Sequence, residues 1–105
     1  DYIQAKEHFL AALQVARWPT TLLASMASIT ELFAEEGDLD YAALLATFIT
    51  NHPASQARVK ERAEQLLTRL EEQLPVDQLT KIRQRSQECD LDSLASQLVI
   101  DLETK

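Results

Sequence analysis

Apolar positions recur along this chain at helical spacing, interrupted at only a few points. The first run is Ala5, Phe9, Ala12, Leu13 and Ala16, at steps of 4, 3, 1 and 3. That spacing puts them on one face of a helix from about Tyr2 to Arg17, with Lys6, Glu7, Gln14 and Arg17 largely away from it. Trp18-Pro19 predicts its end, because proline disfavours helical geometry in the residue before it. A second helix begins at Thr20 or Thr21, either of which can cap it. Its stripe is Leu22, Met26, Ile29 and Phe33, at steps of 4, 3 and 4, widened by Leu23 and Leu32. Ala24, Ala27 and Ala34 permit close helix approach.

Gly37, the only glycine in the 105 residues, falls between this stripe and the next. It fits the left-handed position that closes a helix, and Asp38 fits the cap of the following one. The third helix, Leu39 to Asn51, is apolar on nearly every side, which predicts burial between neighbours at the centre of the core. Asn51-His52-Pro53 ends it. The fourth, from about Ser55 to Leu74, carries Val59, Ala63, Leu66, Leu67, Leu70 and Leu74 on one stripe and charges elsewhere. Pro75 separates it from a fifth helix, Val76 to Glu88, which is thinner in apolar content and carries Lys81, Arg83 and Arg85. Cys89-Asp90 breaks the pattern. Asp90 or Asp92 then caps a sixth helix with Leu91, Leu94, Leu98, Val99 and Leu102 on one face, and Glu103-Thr104-Lys105 is expected to fray. The fold class is therefore all-α: about six antiparallel helices arranged as hairpins.

Composition agrees. Hydrophobic residues make up 46% and charged residues 26%, which is globular rather than disordered composition. One glycine and three prolines are too few for a many-turned β protein. The net charge of −7 argues against nucleic-acid and anionic-membrane partners. No stretch approaches the ~20 apolar residues of a membrane span. The single Cys89 excludes an internal disulfide and a cysteine metal cluster. With no signal peptide visible, cytoplasmic residence is the expectation. Asp1-Tyr2 enters a helical pattern directly, as in a segment of something longer.

The chain also resembles itself. At an offset of 37, Asp1 falls on Asp38, Tyr2 on Leu39 and Ala5 on Ala42. Similarity at such a period predicts stacked helical hairpins, each burying a face against its neighbour. Asp1-Tyr2-x-x-Ala5-x-x-x-Phe9-x-x-Ala12-Leu13 resembles the second helix of a tetratricopeptide repeat (TPR). Ile29 and Phe33 before Gly37-Asp38 resemble the first helix of the next. Thr30, Ala46 and Ile49 depart from the usual glycine, aromatic and alanine, so the repeat is degenerate.

A closer resemblance covers Gly37 to Leu98. It is carried by Ala43-Leu44-Leu45-Ala46, by Asn51-His52-Pro53-Ala54, by Arg62 to Pro75, and by Arg85-Ser86 with Leu91-Asp92-Ser93-Leu94-Ala95. Together these are similar to the C-terminal TPR-like sensor array of bacterial STAND-class signalling ATPases and of LuxR-type and SARP-type regulators. Ser86 stands where those relatives usually carry glycine. The resemblance implies a right-handed solenoid. Residues 1–53 would form degenerate hairpins and 54–105 the C-terminal capping helices of one domain. It also implies a signal-sensing, protein-interaction role in a larger regulatory protein, with no cofactor in this segment. The alternative is a structural end-cap or homo-oligomerisation module with no ligand, self-associating through exposed end helices. A small regulatory enzyme subunit is a more distant option.

Chemistry-bearing residues are sparse. His8 and His52 are 44 apart with no ligand spacing around them, so no metal site is expected. His52 lies at a helix end, where the dipole favours a cation. Glu31, Glu35, Glu36 and Asp38 cluster at the end of the second helix, an unfavourable place for carboxylates unless a basic partner or a neighbouring Arg holds them. Glu35-Glu36 lacks an accompanying nucleophile or metal motif, and no enzyme activity is expected. Lys81, Arg83 and Arg85 with Arg58, Lys60 and Arg62 could form a basic patch. A DNA-reading sixth helix is opposed by Asp92, Asp101 and Glu103. The partner-binding candidates are Glu31, Glu35, Arg58, Arg62 and Arg69, facing a protein partner or a neighbouring domain of the same chain.

Overall fold

A computed structural model describes residues 2–15 and 19–103 of the chain. They form six helices: α1 (Tyr2–Val15), α2 (Pro19–Glu35), α3 (Leu39–Asn51), α4 (Ala57–Glu71), α5 (Val76–Glu88) and α6 (Leu91–Glu103). Among the described residues there is no strand. The packing roles expected of Ala5, Ala12, Leu13 and Ala16, the helix end expected at Arg17 before Trp18-Pro19, and the fraying at Thr104-Lys105 lie outside what is described.

The α2–α3 turn forms as its sequence dictates. Gly37 has φ +90°. Its N–H donates to the Ala34 carbonyl at 3.1 Å, and the Asp38 N–H donates to the Phe33 carbonyl at 3.0 Å. These two bonds are the Schellman closure, which satisfies carbonyls that the end of α2 would leave bare. A Cβ on Gly37 would meet no atom within 4 Å, so backbone conformation alone calls for glycine here. Asp38 departs from expectation. Its carbonyl accepts the Ala42 N–H at 3.1 Å, but its side chain makes no cap bond. Across the turn, the Phe33 and Tyr41 rings pack at 5.0 Å between centroids with a 53° tilt, which clamps α2 to α3.

α3 is the centre of the core. Ala42 to Ile49 are all buried, and the helix packs closely against α2, α4 and α5. A helix apolar all round needs neighbours on every side, and α3 has them. Its alanines let those neighbours approach. Thr47 and Thr30 are buried without penalty, because each hydroxyl donates back to a carbonyl four residues earlier, Ala43 at 2.8 Å and Met26 at 2.7 Å. α1 adds Phe9, and α4 adds Val59, Ala63, Leu66 and Leu70. α6 adds Leu94, Ala95, Leu98 and Leu102. The radius of gyration is 12.7 Å. A compact chain of this length has roughly 13 Å, so the six helices share one core.

Two helix starts differ from expectation, and a third forms as expected. α2 opens at Pro19, ahead of Thr20 and Thr21. Proline suits the first helical position, since its missing N–H has no helical partner there anyway. α4 opens at Ala57 and closes at Glu71, a shorter span than Ser55 to Leu74. Ser55 is drawn backwards instead, and its hydroxyl donates to the Ile49 carbonyl at 2.6 Å at the end of α3. α6 starts as predicted from Asp90. One carboxylate oxygen accepts the Ser93 N–H at 2.7 Å, and the other accepts the Ser93 hydroxyl at 3.1 Å. The first of these bonds is the main cause that holds the Asp90 carboxyl below the ordinary carboxylate range.

Candidate partner-binding grooves

Two grooves between helices gather the charged residues. The first lies between α2 and α4, with a volume of about 320 Å³, and is lined by Glu31, Glu35, Leu39, Leu66, Arg69 and Gln73 among others. Glu31 Oε1 accepts two bonds from Arg62, from Nη2 at 2.7 Å and from Nε at 3.0 Å. The neighbouring Arg expected to hold the acidic cluster is thus Arg62. The pair is about half exposed, so it orients two helix faces more than it stabilises the fold. One helical turn further along α2, Glu35 reaches the same groove, and Arg69 of α4 lines it from the other side. Neither Glu35 nor Arg69 has an ion-pair partner among the described residues.

The five sequence candidates therefore separate. Glu35 and Arg69 line one groove with charges available to a partner. Glu31 and Arg62 are tied to each other. Arg58 is exposed in the first turn of α4 and lines neither groove. The basic patch also divides. Arg83 reaches Glu71 at 3.7 Å, Arg62 is held by Glu31, and Lys81 and Arg85 face a different opening.

That second opening, about 580 Å³, lies among α3, α5 and α6 and was not legible as a site. Its floor is Tyr41, Leu44 and Ile82. The Tyr41 hydroxyl is sealed from solvent and has no well-aligned hydrogen bond among the described residues. The Asp101 carboxylate stands close enough to act on it. Burial first, then Asp101, pushes the phenol far above its ordinary 10.0. Tyr41 of α3 and Asp101 of α6 thus meet at one opening.

The histidines do not come together. His8 lines a separate cavity with Phe9, Ser28 and Arg62. His52 closes α3. Its Nδ1 accepts the Ala54 N–H at 3.0 Å. Its ring packs 5.5 Å from Phe48. Cys89 is a half-buried free thiol at the end of α5 that donates to the Arg85 carbonyl at 3.2 Å. Among the described residues no three His, Cys, Asp or Glu side chains lie close enough to hold a metal. No described helix is long and apolar enough to cross a membrane.

Comparison with protein-family models, with curated proteins and with solved structures gives no match.

Proposed function

We propose that the chain is a protein-interaction segment. It would be a TPR-like stack of degenerate hairpins serving as the C-terminal, signal-sensing part of a larger bacterial regulatory protein, a STAND-class ATPase or a transcriptional regulator. The observation that supports it is the α2/α4 groove. There Glu35 and Arg69 present opposite charges across an opening between two packed helices, with no ion-pair partner among the described residues. Unpaired charges of both signs at a groove rim select a complementary surface and steer its approach. The regulatory context rests on the sequence resemblance from Gly37 to Leu98. Binding in the groove would bias a switch elsewhere in the same protein.

The test has two parts. An immunoblot of the source cells, with an antibody against this segment, should show a band far above the 11.9 kDa of the chain. A band near that mass would sink the larger-protein reading. The wild-type chain should co-purify with a stoichiometric protein partner, and a Glu35→Gln/Arg69→Gln double variant should keep the wild-type melting temperature and lose that partner. Equal capture by both would overturn the groove as the interaction surface.

A further inference from the structure

The α3/α5/α6 groove has a charge arrangement that the fold itself does not use. Two of its carboxylates accept bonds from side-chain amides. Asp40 accepts a bond from the Gln78 side chain, and Asp101 accepts one from Gln97 at 3.1 Å while facing Tyr41. The remaining charges have no such partner. Lys81 and Arg85 lie one turn apart on α5, on the same face of the helix, and neither has a carboxylate partner among the described residues. Asp38, at the α2–α3 turn, makes no side-chain cap bond and no ion pair among them either. A rim thus carries two cations on one wall and a carboxylate on another, without ion-pair partners among the described residues, beside the apolar Leu44 and Ile82.

We propose that this groove binds a short segment of a partner protein that carries an acidic side chain for Lys81 and Arg85, a basic side chain for Asp38, and an apolar side chain between them for Leu44 and Ile82. The proposal rests on the interaction reading above and names the chemistry of the bound segment. Charge complementarity selects this occupant over others. A wholly acidic ligand, nucleic acid included, meets Asp38, Asp40 and Asp101. A wholly basic one meets Lys81 and Arg85. Only a segment with both signs satisfies the two walls at once. The volume, about 580 Å³, falls in the roughly 300–1,000 Å³ range of pockets that take a drug-sized ligand, the size of a few side chains.

The test is an NMR titration of the isotope-labelled chain with the capped tripeptide Glu-Leu-Lys, and with capped Gln-Leu-Gln as control. The expected result is saturable shifts at Asp38, Tyr41, Gln78, Lys81, Arg85 and Gln97, with a Kd of about 1 mM, as suits so small a ligand. The control peptide should bind about tenfold more weakly or not at all. Lys81→Gln/Arg85→Gln should weaken Glu-Leu-Lys to the level of the control at an unchanged melting temperature. Asp38→Asn should weaken it by a smaller factor. Shifts of equal size with both peptides, shifts elsewhere on the chain, or no shifts would overturn the proposal. Capture through Glu35 and Arg69 is measured separately. If that capture persists while the tripeptide fails, this site falls and the interaction reading stands.

Discussion

Arg62 of α4 grips Glu31 of α2 through two nitrogens on one carboxylate oxygen, at 2.7 and 3.0 Å, across 31 residues of sequence. The contact joins α2 to α4 beside the groove that Glu31, Glu35 and Arg69 line. Its worth to stability is small, because both side chains are over 40% exposed. A Glu31→Gln, Arg62→Gln double-mutant cycle should give a coupling of about 0.2–1 kcal/mol at low salt. The coupling should shrink further at ~1 M salt, where the screening length falls to about 3 Å. Chemical denaturation of the four proteins measures it. A coupling of several kcal/mol would mean the pair is far better shielded than this exposure allows.

Gly37 sits at φ +90° with open space where a Cβ would go. Gly37→Ala should therefore cost about 1–2 kcal/mol through backbone strain alone. Gly37→Asn should cost less, since asparagine enters the left-handed region more readily. Thermal melts of both variants give the ordering. An alanine variant as stable as wild type would show that α2 does not end in the Schellman turn.

Asp90 caps α6 as a carboxylate, with its pKa lowered chiefly by the Ser93 N–H. Because the folded pKa is depressed, this contribution is fully present above the unfolded value of about 3.9 and is lost as pH falls through the folded one. Asp90→Ala should lower the melting temperature at neutral pH, and the gap to wild type should narrow as pH drops below about 4. Asp90→Asn keeps a neutral cap and should show a flatter profile. A gap independent of pH would contradict the charged cap.

Tyr41 has the opposite sign of linkage. Burial and the Asp101 carboxylate raise the phenol's pKa in the folded state, so the unfolded chain ionises first as pH climbs. Stability from this source is intact below pH ~10 and declines as pH rises beyond it. Tyr41→Phe removes the ionisation together with a poorly bonded hydroxyl. It should lie within about 1 kcal/mol of wild type at pH 7 and become relatively more stable above pH ~10. Melts from neutral to alkaline pH decide this. Parallel profiles would mean that the hydroxyl is open to water.

Local signals carried most of the fold. α3 and α5 run between the bounds their patterns predict, because Gly37, the Asn51-His52-Pro53 stop and Pro75 are strong punctuation. The misses were also local. Pro19 opens a helix as readily as it closes one, and Ser55 found a better acceptor at Ile49 than in its own helix. The grooves were less legible, because they depend on how helices cross. Glu31 and Arg62 are unrelated by any spacing. The α3/α5/α6 opening draws on three helices and a turn. Its one sequence signal was Lys81 and Arg85 at i and i+4 on a helix with little apolar face of its own.

The central claim is that the α2/α4 groove faces a partner, and photo-crosslinking tests it most directly. A photoreactive amino acid replaces Gln73, which lines the groove without carrying its charge, in one experiment and Glu64 in another, in the full-length protein in its source cells. Glu64 is exposed on the outer side of α4. The account predicts a discrete crosslinked product from position 73, to another protein or to a neighbouring domain, and none from position 64. Equal labelling from both positions, or none from position 73, would contradict it.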